Sequence, residues 1–245
     1  MSPILLLSIA LQVACAVHAV RTGRPLYWAF ILLIGSYIAV AVYVLAEVLP
    51  DMRNNRSARL LARNVQDRID PGRGKREASR RLDIADTLDN RRRLAEQSLL
   101  DGDYAHAAEL YGASLKGLYA TDPDLMLGLA KAQFGLNEPA QARATLDALI
   151  AANPGFRSSE GHLLYARATE AAGDIPAALH EYEAVVQGHP GEEARARYAL
   201  LLKREGDAAG AERLFREILK RADALPRYYR KEQREWIELA KHELG

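Results

Sequence analysis

The sequence predicts an all-α protein: a two-helix transmembrane hairpin, then an α-solenoid of about four helix-pair units closed by a C-terminal capping helix. Three observations carry this. Ala107, Ala142, Ala178 and Ala211 recur at steps of 35, 36 and 33 residues, inside runs such as Gly102-Asp103-Tyr104…Ala107…Tyr111 and Gly173-Asp174-Ile175…Ala178…Tyr182. A period near ~34 residues means stacked helix pairs, because one pair cannot bury its apolar face alone. Two apolar stretches precede the repeats, and a basic segment joins them to an acidic body.

The apolar stretches divide the N-terminal region. Pro3 to Val20 carries no charge, with Gln12 and His18 as its clearly polar residues, and Leu26 to Leu49 is 24 residues with the single charge Glu47. A helix needs ~20 apolar residues to cross ~30 Å of hydrocarbon, so the second stretch spans comfortably and the first lies near the lower limit. Tyr27 and Trp28 stand where an interfacial aromatic belt belongs, and Pro50 closes the span. Gly35, Ser36 and Ala39 offer a small face against Ala10 and Ala14, suited to a hairpin or to self-association, although composition alone also accounts for them. Met1 to Leu7 lacks the basic residues of a cleaved signal, and the polar Gln12 disfavours lipidation at Cys15, so both spans are expected to be retained. Arg21 and Arg24 lie in the turn; Arg53, Arg56, Arg59, Arg63 and Arg68 follow the second span. Counting these arginines puts the repeats in the cytoplasm, at the inner membrane of a bacterium, whose coding bias the Arg and Ala richness suggests.

Charge separates the next two regions. Residues 51–93 hold thirteen Lys/Arg against seven Asp/Glu, whereas residues 94–245 hold eighteen against twenty-four. Ala58, Leu61, Ala62, Val65 and Ile69 follow the i, i+3, i+4, i+7 rhythm of an amphipathic helix. Arg53, Arg56, Arg59 and Arg63 are the residues expected to touch anionic headgroups, at ~1 kcal/mol each. A solvated linker is the second reading. Nucleic acid is not expected, since the segment has no aromatic residue for base stacking. Asp70-Pro71-Gly72-Arg73-Gly74 breaks the helix. The expected domains are therefore residues 1–50 as anchor, 51–75 as basic neck and hinge, and 76–245 as solenoid.

Within the solenoid each unit repeats one grammar. Leu94 and Ala95 open the first helix of the first unit, Gly102-Asp103-Tyr104 makes its turn, and Ala107 and Tyr111 lie on its second helix. The second unit has Leu129, Ala130, Asn137-Glu138-Pro139, Ala142, Leu146, Leu149 and Pro154; the third has Tyr165, Ala166, Gly173-Asp174-Ile175, Ala178, Tyr182 and Pro190. The fourth has Tyr198, Ala199, Gly206-Asp207-Ala208, Ala211, Phe215 and Leu219. Unit one runs long through Gly117-Leu118-Tyr119-Ala120, and Tyr228 to Leu244 reads as one capping helix with Tyr229, Trp236, Leu239 and Ala240 on its apolar side.

This pattern, over roughly residues 88–222, resembles the tetratricopeptide repeat (TPR) family. The resemblance implies partner binding in a concave groove lined by the first helix of each pair. It carries the groove positions onto Glu96, Lys131, Arg167 and Leu200, and one turn on to Leu99, Phe134, Glu170 and Lys203. A peptide with an acidic residue facing Lys131 and Arg167 is the expected ligand, with ordinary solvated charge as the plainer account of both residues. The carboxylate-clamp members need Asn where Glu96 stands, so chaperone C-termini are not expected. The N-terminal hairpin loosely resembles the one on phospholipase D and cardiolipin synthase relatives, whose His-x-Lys signature is absent.

Catalytic signatures are lacking. One cysteine builds neither a disulfide nor a thiolate site, and the six histidines fall in no metal spacing. No glycine loop cradles phosphate and no Gly-x-Ser-x-Gly elbow occurs. The expected function is a membrane-anchored, non-enzymatic scaffold without cofactor or metal, binding a protein or peptide partner and open to homo-oligomerisation. The alternatives are a periplasm-facing factor aiding envelope protein folding or assembly, and a subunit of a membrane-lipid enzyme.

Overall fold

The computed structural model describes residues 3–21, 31, 42, 70 and 72–245, with side chains from residue 11 onward. It divides into two compact units, Met1–Arg73 and Gly74–Gly245.

In the first unit the apolar stretch Pro3–Arg21 forms one helix, α1. The second stretch lies outside the described residues apart from Ile31 and Val42, as do Arg53, Arg56, Arg59, Arg63 and the amphipathic neck. No helix among the described residues is long and apolar enough to cross a membrane, so the expected hairpin is not shown. Gln12, His18 and Arg21 interrupt the part of α1 whose side chains are described.

The second unit is a solenoid of helix pairs. After α2 (Arg73–Ile84) the pairs are α3 with α4 (Leu88–Leu100, Tyr104–Ser114), α5 with α6 (Pro123–Gly135, Pro139–Ala152), α7 with α8 (Ser159–Ala171, Ile175–Gly188) and α9 with α10 (Glu193–Arg204, Ala208–Ala224). Two short elements, α11 (Arg227–Glu232) and α12 (Arg234–Leu244), follow. Within each pair the helices cross on alanines. Ala95, Ala107, Ala130, Ala142, Ala166, Ala178, Ala199 and Ala211 are all buried, because any larger side chain would push the crossing helices apart. Larger residues fill the space between crossings. One core joins Tyr111 and Leu125, a second Leu146, Leu149 and Leu164, a third Tyr182, Val185 and Leu201, a fourth Phe215, Ile218 and Ile237. Each core reaches from one pair into the next element, so stability is shared between neighbours only.

The turns explain how the pairs close. Gly102, Gly173 and Gly206 adopt φ of 75°, 89° and 92°, and Asn137 takes the same place in the second unit at φ 63°. In each turn the next N–H reaches back to the helix: Asp103 to the Ser98 carbonyl, Glu138 to Gln133, Asp174 to Thr169, Asp207 to Leu202. Asp103, Asp174 and Asp207 then cap the second helix by accepting from the amides of His106, Ala177 and Gly210. Glu138 makes no such cap, and Pro139 at the first helical position compensates by removing an orphan N–H. Gly173→Ala should therefore lower stability by about 1–2 kcal/mol, read as a shift in the urea midpoint, since Ala is strained at that φ while the space around it is open.

Three details differ from the sequence reading. Leu94 and its equivalents sit in the middle of their helices rather than opening them, because capping by Thr87, Asp122 and Ser158 starts those helices earlier. The long first unit contains a 3-10 turn, Gly117–Tyr119, with Gly117 at φ 56°. The cap is two helices, not one. The break falls at Gln233, whose Oε1 accepts from the backbone N–H of Glu192 at 2.9 Å.

That bond belongs to a buried ionic knot. The Glu192 carboxylate is fully enclosed and accepts from Arg195 (3.3 Å), Arg221 (2.9 Å) and the Tyr229 hydroxyl. Arg195 also donates to the Val186 carbonyl (3.1 Å) and to Glu217 (3.0 Å). The knot ties the third and fourth units to the cap.

Candidate functional site: the groove along the first helices

The first helix of each pair, α3, α5, α7 and α9, lines one side of the solenoid. An acidic residue stands in its first turn each time: Asp89, Asp124, Glu160 and Glu193. A carboxylate is favoured at that end by the helix dipole. The last three of these acids also reach the preceding unit. Arg92 lies 3.4 Å from Asp124, Lys131 2.7 Å from Glu160, and Arg167 3.4 Å from Glu193, so a ladder of ion pairs runs between adjacent first helices.

The structure places the predicted groove residues as follows. Glu96, Leu99 and Lys131 line an open cavity of about 570 Å³ with Arg92, Asp124, Leu127, Phe156, Arg157 and Glu160. Glu96 accepts from Arg92 at 2.9 Å and Lys131 is held by Glu160, so both charges are internally neutralised. Phe134 lies beneath the Arg167 guanidinium, 4.8 Å from ring centroid to charge. Glu170 accepts from the Tyr182 hydroxyl at 2.8 Å and faces Arg204 at 3.2 Å. Lys203 is drawn away from its neighbours to Glu243 of the cap, whose carboxyl it holds below the usual range. Leu200 is partly exposed.

Arg167 differs from Lys131 in its surroundings. Its carboxylate partner, Glu193, is shared with Arg197, whose Nε lies 2.7 Å from the Glu193 carboxylate and whose guanidinium stacks on Trp236 at 5.2 Å. Burial and then the neighbouring Arg197 charge hold the Arg167 guanidinium below its ordinary pKa, with Glu193 acting in the other direction. Among the described residues its Nε is buried without a partner. Two guanidiniums, each seated on an aromatic face, thus converge on one carboxylate.

Arg197, Glu193, Trp236 and the cavity wall at Phe156 and Arg157 were missed from sequence. The first-turn acids had a visible signal, recurring at steps of 35, 36 and 33 residues like the alanines. Arg197 had none, because it stands a turn away from the positions carried over by the repeat pattern. Among the described residues no group of His, Cys, Asp and Glu is placed to hold a metal.

The helix pairs, their alanine crossings and this groove define a TPR-like solenoid. Residues 98–168 match the family model described as the tetratricopeptide repeat. Similar solved structures include TTC0263, a thermophilic TPR protein in Thermus thermophilus. It is 16% identical at TM-score 0.55, over 69% of this chain and 88% of its own. MamA 41-end from Desulfovibrio magneticus RS-1 is 17% identical at TM-score 0.54, over 65% of this chain and 92% of its own. YrrB, described as a TPR protein with an unusual peptide-binding site, is 15% identical at TM-score 0.51, over 80% and 95%. These likenesses establish the fold. No curated protein matches the chain. TPR proteins generally act as protein-interaction scaffolds, binding protein or peptide partners.

Proposed function

We propose that this protein is a membrane-anchored scaffold of the bacterial inner membrane, with its solenoid in the cytoplasm and a peptide segment of a protein partner held along the first helices. The apolar stretches at Pro3–Val20 and Leu26–Leu49 support the anchor, and the arginine count at their ends supports the side. An anchored groove raises the effective concentration of its partner at the membrane without any added contact. The observation that carries the groove reading is the pairing of Arg167 and Arg197 on the one carboxylate of Glu193. An acidic side chain of the ligand completes that arrangement by giving each guanidinium a counter-charge. Lys131, already matched by Glu160, contributes less than its position in the repeat suggests.

The test is in-cell photo-crosslinking from a probe at Arg167, with a probe at Glu212 on the opposite helix layer as control. A band from 167 alone, identified by mass spectrometry, is the expected result. Arg197→Ala should weaken it by about tenfold or more, the effect of losing one charge-assisted bond of ~1.5–3 kcal/mol. Equal bands from both probes would defeat the groove reading. A C-terminal phosphatase or fluorescent-protein fusion distinguishes the cytoplasmic from the periplasmic side.

A further inference from the structure

We propose that the cavity between the first and second units is a pocket for an apolar side chain of the partner, whose backbone carbonyl accepts a hydrogen bond from the Tyr111 hydroxyl. The pocket rests on the reading of the first helices as a peptide groove, and it gives the partner a second determinant beside the acidic one. Tyr111 stands on α4 and is only 3% exposed, yet it lines the cavity. Gly128 on α5 makes room for its phenolic end: a Cβ there would run into the ring carbon that carries the hydroxyl. Among the described residues that hydroxyl makes no hydrogen bond. Burial and then the Glu96 charge push its pKa up to about 12, with Arg92 acting the other way, so it remains a donor. A buried donor left without an acceptor costs free energy that a bound acceptor recovers.

The third unit shows what the first one lacks. There Tyr182 holds the equivalent place, and its hydroxyl donates to Glu170, twelve residues earlier, at 2.8 Å. Twelve residues before Tyr111 stands Leu99. Both units keep the tyrosine, but the first exchanges its acceptor for an apolar wall. Leu100 beside it is 78% exposed, and Leu127 and Phe156 continue that wall. At about 570 Å³ the cavity has the ordinary size of a ligand pocket. Its charges close on one another: Arg92 with Glu96 and Asp124, Lys131 with Glu160. Arg157 at the rim donates to the carbonyls of Pro154 and Phe156. With three cations set against three acids, the lining favours an uncharged side chain such as Leu, Ile, Met or Phe. The arginine pair at Glu193 lies two helix spacings further along, about 16–20 Å, which an extended peptide crosses in about five or six residues.

The experiment selects randomised phage-displayed peptides on the full-length chain in detergent, then measures the recovered peptides by fluorescence anisotropy. The expected peptides share one apolar residue about five or six positions from an Asp or Glu. Leu99→Glu restores the acceptor found in the third unit and brings a charge into the pocket, so it should weaken these peptides about 10- to 100-fold. Tyr111→Phe keeps the ring and should weaken them about two- to tenfold. Its urea midpoint should not fall, since no bond within the protein is lost; a fall would overturn the proposal by giving the hydroxyl a structural role. Circular dichroism checks that Leu99→Glu is folded, and Tyr111→Phe carries the test if it is not. Peptides with no shared apolar position, a preference for basic residues, or affinities that neither substitution changes would overturn the proposal. So would a selection that recovers nothing specific, while crosslinking from Arg167 still reports the groove. Peptides weakened by Arg197→Ala but by neither pocket substitution leave the groove standing and remove the pocket; the reverse pattern keeps the pocket and removes the acidic determinant.

Discussion

Replacing Glu192 by alanine is expected to destabilise the solenoid by about 3–5 kcal/mol, among the largest effects available to a single substitution in this chain. The carboxylate is the shared acceptor for Arg195, Arg221 and Tyr229, and its removal leaves the enclosed Arg195 with the half-exposed Glu217 as its remaining carboxylate partner. Arg221 keeps some access to water, which places the loss toward the lower end of that range. Urea unfolding measures the total, and hydrogen exchange resolves where it falls: protection should be lost first in α10 to α12. A uniform loss across all units, or none, would show that the knot does not hold the cap.

Tyr182→Ala is the second large effect, again about 3–5 kcal/mol, for a fully buried aromatic at the centre of the third core. Tyr182→Phe separates its two roles. The ring stays, the hydroxyl bond to Glu170 goes, and the expected cost falls to about 0.5–1.5 kcal/mol, more if the carboxylate is left without its donor. Because Glu170 also faces Arg204, the Phe variant should alter partner binding along the groove while leaving the fold in place. Thermal unfolding and crosslink yield, measured on both variants, test that split.

The parts of the fold that were legible from sequence are those each unit must solve alone. Every crossing needs a small residue, so the alanines keep time. Every turn needs a left-handed residue and a way to start the second helix, so Gly-Asp recurs, and the second unit uses Asn137 at positive φ with Pro139 in place of a capping side chain. What depends on another unit was not legible. The break at Gln233 answers to an amide 41 residues earlier, and no local pattern announces it. Glu192 stands at the N-terminal boundary of α9, where a short capping side chain would be expected; its carboxyl goes instead to Arg195, three residues on, and to the distant Arg221 and Tyr229. The candidate site follows the same division. Glu96, Lys131 and Arg167 were found because the repeat carries their positions. That Glu160 neutralises Lys131, and that Arg197 shares Glu193 with Arg167, follows from how neighbouring units stack.

The ring of Trp236 beneath Arg197 has an optical consequence. The chain holds two tryptophans, and the other is Trp28. With Trp28 replaced by phenylalanine, the remaining emission comes from an indole whose face carries a positive charge. A ligand that draws Arg197 toward its own carboxylate changes that field, so the emission maximum and yield should move as the groove fills. The protein thus carries its own titration signal, readable without a label and before any partner is known.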